Sequence, residues 1–129
     1  MNDGMASGVI AALTDHHLVG SAAVSGEDGN PDALNQVALG TQTVDVWKDA
    51  RALGSAAGEA AMELCHGTSA DQVRGVSAFT TPDGNTVSSV LIKPVSITRD
   101  NLDLVVDAGW ITREDLCKGV APGSVPACP

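Results

Sequence analysis

Apolar residues recur at helical spacing from Asp3 to about His17, where Ala6, Val9, Ile10, Leu13 and His17 share one stripe. Asp3 is placed to cap that helix, with Asn2 just outside the cap. The run Gly20 to Gly26, GSAAVSG, is short, small-sided and bounded by glycines, which predicts a buried parallel strand with Glu27 and Asp28 at its carboxyl end. A second helix follows: Asn30 reads as N-cap, Pro31 as the first helical position, Leu34, Val37 and Ala38 as the apolar face, and Gly40 as the stop. From Gly40 to Asp49, GTQTVDVWKD, the period falls to two. Thr41, Thr43, Asp45 and Trp47 then face one side, and Gln42, Val44, Val46 and Lys48 the other. Helix, strand, helix, strand is the order of parallel α/β units. Ligands of open α/β sheets bind beyond the carboxyl ends of the strands, which is where Lys48 falls.

The second half reads differently. Asp49 to about His66 predicts a helix with Leu53, Ala56, Ala57, Ala60, Ala61 and Leu64 on one stripe, ended by Gly67 and thin enough to pack closely on a sheet. Val76 to Thr80 and Thr86 to Ile92 predict two strands joined by the turn Pro82-Asp83-Gly84-Asn85. Thr98 is expected to cap a short helix through Val106 that stops at Gly109, and Thr112 with Asp115 matches a capping box for a final helical turn.

At 129 residues the chain has room for one domain. A net charge of −9 with seven Lys plus Arg leaves no basic stripe for nucleic acid, so no nucleic-acid partner is expected, nor an anionic membrane surface. No apolar run approaches the roughly 18 to 20 residues of a spanning helix, and Met1-Asn2-Asp3 is not the basic start of a signal peptide. Of the three cysteines, Cys117 and Cys128 bracket a Gly/Pro-rich tail, and a disulfide between them would stabilise by roughly 3 kcal/mol in an oxidising compartment. The other reading is two unpaired thiols on a loose tail.

Catalytic and metal patterns fail one by one. Asp28, Asn30 and Asp32 match the first positions of a Ca²⁺ loop, but Ala33 stands where glycine is required and Leu39 where the bidentate Glu belongs. His16 and His17 are adjacent and diverge on a helix, so His17 reads as a core-face residue. Cys65-His66 lacks partners at zinc spacing. No phosphate-binding glycine loop or nucleophile elbow occurs, and Glu27-Asp28 has no nucleophile beside it. The chain is read as a non-enzyme without cofactor or metal.

Four segments carry a resemblance: NDGMASGVIAAL, AAVSGEDGNPDAL, GTQTVDVWKDARALGSAAGEAAMEL and SSVLIKPVSITRDNL. In this order and spacing they resemble the C-terminal part of the periplasmic sugar-binding proteins of ABC importers, most nearly the xylose-binding branch, from Asn2 to about Leu116. The resemblance implies part of the type 1 periplasmic-binding fold, an α/β architecture in which two lobes close like a hinge on a sugar. Residues 1–47 would be part of the second lobe. Residues 48–75 would hold the hinge crossing and a helix that packs on the first lobe, 76–116 the hairpin, return crossing and C-terminal helices, and 117–129 a tail. The chain is thus expected to be a C-terminal fragment with an incomplete two-lobe architecture.

Carried over residue by residue, the resemblance places Asn2 and Asp28 as sugar-hydroxyl partners and Lys48 as a donor at the hinge-proximal strand end. An amide, a carboxylate and an ammonium together offer the donors and acceptors a neutral polyol needs. Read without the resemblance, Asn2 and Asp28 are caps and Lys48 is solvated. The partners implied are a monosaccharide such as D-xylose and the membrane permease of an importer, in the periplasm or cell envelope for the full-length family. The alternatives are the ligand-sensing domain of a sugar-responsive repressor, for which no basic helix-turn-helix is present, and a remnant without binding activity. With two strands before Lys48, and three or more needed for independent stability, loose tertiary packing is expected.

Overall fold

The structure, a computed structural model, describes residues 1–129. The elements in chain order are α1 (Asp3–Asp15), β1 (Ser25–Asp28), α2 (Pro31–Leu39), β2 (Val44–Trp47), α3 (Ala50–Cys65), β3 (Val76–Thr80), β4 (Thr86–Val90), β5 (Val95–Ile97), α4 (Asp103–Asp107) and α5 (Arg113–Leu116). They divide into two compact units: Met1–Lys48 with Pro94–Pro129, and Asp49–Lys93.

In the first unit β2 is the central strand of a three-stranded sheet ordered β1-β2-β5. It runs parallel to β1, from Ser25↔Val44 to Asp28↔Trp47, and antiparallel to β5, from Asp45↔Ile97 to Trp47↔Val95. The expected strand at Gly20 to Gly26 is displaced toward its carboxyl end, because Ser25 to Asp28 is the stretch that finds backbone partners on β2. The third strand, β5, was not foreseen, and it supplies the count that two parallel strands alone lack. Thr98 caps no helix there: its N–H donates to Asn101 Oδ1 at 2.7 Å in the turn after β5, and α4 begins only at Asp103.

Helix α2 follows its sequence signals, with Pro31 at the start and Gly40 in the left-handed region at φ +82° closing the end. Its Leu34, Val37 and Ala38 enter the main core with Trp47, Ile97, Leu102, Val105 and Leu116. Each such leucine, isoleucine or valine contributes about 1.5–3 kcal/mol by leaving water. The tail joins this core through Val125, Ala127 and Cys128. A disulfide joins Cys117 to Cys128, and Arg113 donates to the Ala127 carbonyl and, at 3.0 Å, to Asp103. Thr112 accepts from the Asp115 N–H at 3.0 Å and donates to its carboxylate at 2.6 Å, the capping arrangement expected of that pair.

A smaller core of Ala6, Ile10 and Val24, with Leu13 against it, seats α1. The stripe predicted for α1 is only partly buried, since Val9 is exposed. His17 is a correction. The helix ends at Asp15, so His17 sits in a turn at φ +56°, exposed rather than on the core face.

The second unit holds α3 and the β3–β4 hairpin. Asp49 caps α3, accepting from the Arg51 N–H at 2.9 Å. The hairpin is paired from Val76↔Val90 to Thr80↔Thr86. Its turn is closed by Thr81 N–H to the Asn85 carbonyl at 2.8 Å, with Gly84 at φ +86°. The close packing expected of α3 is absent: the helix has no buried residue. Ala52, Ala56, Ala60 and Glu63 form its half-buried face, while Leu53 and Leu64 of the predicted stripe are exposed. Val73 is the unit's one buried side chain.

Candidate functional site

The carboxyl ends of β1 and β2 lie side by side, because the parallel register sets Glu27 against Val46 and Asp28 against Trp47. Lys48, the next residue after β2, reaches back over both acids: its Nζ lies 2.8 Å from Asp28 Oδ1 and 3.0 Å from Glu27 Oε1. These hydrogen bonds, Asp28's first and Glu27's second, raise the lysine above its ordinary value and keep it charged. All three side chains remain about 40% exposed or more, within a few per cent. A pair so placed contributes little to stability, about 0–1 kcal/mol, and its polar atoms stay open to solvent. The second oxygen of Asp28 makes no bond within the protein, so the cluster presents acceptors and a donor side by side at one strand edge.

The backbone under this cluster is strained. Asp28 holds φ at +122°, a region that L side chains rarely adopt. Such conformations cost about 1–3 kcal/mol and persist where the surroundings enforce them, frequently at binding sites. The next residue, Gly29, lies close against Trp47: a Cβ there would fall 2.4 Å from Trp47 Cδ1. The Gly29 carbonyl also accepts from Trp110 Nε1 at 2.6 Å, and the two indoles sit 5.8 Å apart at 60°. Trp47, on the face opposite Lys48 by alternation, is buried in the core.

Asn2 lies at the N-terminus of α1. It is the N-cap, accepting from the Met5 N–H at 3.0 Å through Oδ1, where the sequence suggested Asp3. Asp3 is instead buried and accepts from the Asn30 N–H at 2.7 Å, which ties the start of α1 to the loop after Asp28. Asn2 and Asp28 are thereby held by one tether, and Lys48 joins Asp28 directly. Asn30, at the N-cap position of α2, makes no side-chain cap bond. No side-chain hydrogen bond links Asn2 to Asp28 or Lys48.

A buried polar layer beneath the strand ends escaped the sequence reading. Asp3, Gln42 and Asp45 are all inaccessible, and Gln42 Nε2 donates to Asp45 Oδ2 at 3.1 Å. For Asp45 a signal was there: alternation sets it on the side of Trp47, away from Lys48. No cluster of three His, Cys, Asp or Glu side chains converges as metal ligands, and no helix is long and apolar enough to cross a membrane.

No family model matches the chain. Two curated relatives are similar to it. The D-xylose-binding periplasmic protein of Escherichia coli (strain K12) is 33% identical over 118 residues, which takes in 89% of this chain and 34% of the relative. That of Haemophilus influenzae is 29% identical over 116 residues, with the same 89% and 34% coverage. Among solved structures, a carbohydrate transporter solute-binding protein from Chloroflexus aurantiacus in complex with D-glucose superposes with a TM-score of 0.73 at 28% identity, over 88% of this chain and 33% of that one. An ABC transporter solute-binding protein from Clostridium phytofermentans with bound β-D-glucose gives 0.69 at 25% identity, over 89% of this chain and 35% of that one. Over most of its own length the chain is therefore similar to periplasmic and ABC-transporter sugar-binding proteins, and it has the α/β architecture of the third of those chains that it matches, as the resemblance implied. It spans about a third of the length of the curated relatives it matches.

Proposed function

We propose that Asn2, Asp28 and Lys48 form one wall of a monosaccharide site in a receptor that serves an ABC-type importer, with D-xylose as the sugar and the periplasm as its compartment. The observation that carries this reading is the Asp28–Lys48 contact at the carboxyl ends of the two parallel strands. A carboxylate that accepts and an ammonium that donates, both solvent-open and held by a strained backbone, suit the vicinal hydroxyls of a pyranose. The chain leaves the first unit directly after Lys48 and returns to it at Pro94, so the cluster stands where the two units are joined in sequence. Disulfide chemistry at Cys117–Cys128 suits an oxidising compartment. The named relatives are transport receptors, which supports this reading over a repressor's sensing domain.

One wall of a cleft leaves most hydroxyls bonded to water, so the net gain per hydrogen bond, about 0.5–1.5 kcal/mol, does not offset the cost of association. Calorimetry is expected to show D-xylose binding to the 129-residue chain no tighter than about millimolar. Joined to the two-thirds of the E. coli relative that it does not match, the chain is expected to bind D-xylose in the micromolar range and more tightly than D-glucose. In that hybrid Asp28→Ala should cost roughly 2–4 kcal/mol of binding and Glu27→Ala under about 1. Equal losses from the two substitutions would overturn the assignment of Asp28, and micromolar binding by the isolated chain would overturn the half-site reading.

A further inference from the structure

Asp3 from α1 and Asp45 from β2 meet over Gly26 in the interior of the first unit, 2% and 0% exposed. Gly26 is the partner of Asp45 in the parallel register, and its missing side chain is what makes room for them. A Cβ there would lie 2.3 Å from Asp3 Oδ1, 2.3 Å from Gln42 Nε2 and 2.9 Å from Asp45 Oδ2. Asp3 Oδ2 takes the Asn30 N–H and Asp45 Oδ2 takes the Gln42 amide, which leaves Oδ1 of each carboxyl buried with no donor. Unpartnered buried oxygens are rare and costly.

No cation relieves them. Helices α1 and α2 and strands β1, β2 and β5 carry no basic residue; their remaining charged groups are Asp15, Asp32, Glu27 and Asp28, all acidic. The Met1 α-ammonium, two residues before Asp3, is in no ion pair, and Lys48, three residues after Asp45, is committed to Glu27 and Asp28. Two carboxylates in contact away from water cannot both be ionised.

We propose that Asp3 and Asp45 hold one proton between them and act as a pair of positioning residues for the Gly29–Asn30 loop, which follows Asp28. The proton supplies a donor that the two buried carboxyls otherwise lack, and the carboxylate character left on Asp3 grips the Asn30 N–H at 2.7 Å. Loss of the proton sets two buried negative charges against each other and loosens that grip. Burial first, and contact with the Asp3 carboxyl second, lift Asp45 from 3.8 to about 7. The pair stands whether or not the strand edge binds sugar, so its test needs no ligand.

Carbon-13 and nitrogen-15 NMR of the uniformly labelled 129-residue chain decides it. The Asp45 carboxyl carbon is expected to titrate near pH 7, and the Asn30 amide nitrogen to move with the same midpoint. Asp45→Asn keeps a permanent donor facing Asp3. It should abolish the step and hold the Asn30 amide at its acidic-side position from pH 5 to 9, whereas a merely space-filling role would leave that amide unmoved in both proteins. Titration of the Asp45 carboxyl below about pH 5, the ordinary carboxylate range, would overturn the proposal. So would a wild-type Asn30 amide indifferent to pH. The wild-type titration decides even if the variant fails to fold.

Discussion

Helices α2 and α3 obey the same local rules and reach different ends. Both start at a capping-type residue, are amphipathic and are closed by a glycine visible in the sequence. Yet α2 buries Ala33 and sets Leu34, Val37 and Ala38 in a core shared with β2, β5, α4, α5 and the tail, whereas α3, the longer of the two, buries nothing. The difference extends to the units around them. In Asp49–Lys93 the large apolar side chains Leu53, Met62, Leu64, Phe79, Val87, Leu91 and Ile92 are exposed. Periodicity thus tells which face of a helix seeks cover, and the rest of the chain decides whether cover is present.

The widest gap between the units is expected from truncating a leucine in each. Leu34→Ala, at a fully buried position, should cost about 2–5 kcal/mol in urea unfolding, and Leu64→Ala, 48% exposed, within about 0.5. Native-state hydrogen exchange should match, with Val46 in the central strand protected and Phe79 and Val87 in the hairpin close to free exchange. Similar losses from both leucines would erase the contrast.

Acid–base behaviour should separate the units by sign. Asp45 is raised from 3.8 to about 7, so the first unit carries stability that is full below pH 3.8 and lost as pH rises through 7. Each unit of separation between the folded and unfolded values is worth about 1.4 kcal/mol. In the second unit Asp83 is lowered, by Thr81 first and Asn85 second, which gives stability present above pH 3.8 and lost as pH falls through its depressed value. Exchange of Val46 should therefore quicken, after correction for intrinsic rates, between pH 4 and 7, and stay level in Asp45→Asn. A parallel pH trend in both units would break the distinction.

Next in size is the tail. Removing the Cys117–Cys128 link by Cys128→Ser should cost the first unit about 3 kcal/mol, since it opens a loop of sequence separation 11 and unseats a buried sulfur. The hairpin's exchange should not change. The smallest effect sharpens the picture at the strand edge. Asp28→Gly relieves the φ of +122° while removing an exposed ion pair, so it should leave the first unit about 0.5–1 kcal/mol more stable than Asp28→Ala does, read as a difference in urea midpoint. An alanine variant equal to the glycine one would mean that the conformation carries no strain.

What could be read in advance was whatever one stretch of chain decides by itself. Pro31 and Gly40 bound α2, Asp83-Gly84 turns the hairpin, and Thr112 caps α5 because those residues act on their immediate neighbours. Strand β5 was missed because Val95-Ser96-Ile97, behind Pro94, is too short to show a period; its identity comes from lying antiparallel to β2 across a long insertion. The displacement of β1 has the same origin, since Ser25-Gly26-Glu27-Asp28 is a poor strand by composition and becomes one by pairing. At the strand edge, the proximity of Asp28 to Lys48 followed from strand order, but the burial of Asp3 did not. A carboxylate at a helix start reads as a cap, and only the loop at Asn30, far along the chain, makes it an interior acceptor.

The tilted pairing of Trp47 and Trp110 beside Gly29 has an optical consequence. The chain contains two tryptophans and no tyrosine, and both indoles belong to the first unit, one of them lying on the glycine that follows Asp28. Intrinsic emission excited at the indole band is therefore a single-locus signal: it follows the interior beside the strand edge and is blind to α3 and the hairpin. Far-ultraviolet dichroism sums the helices of both units, α3 in one and α1, α2, α4 and α5 in the other. A melt recorded in both channels would resolve two transitions from one unlabelled sample, with no engineered reporter in either unit.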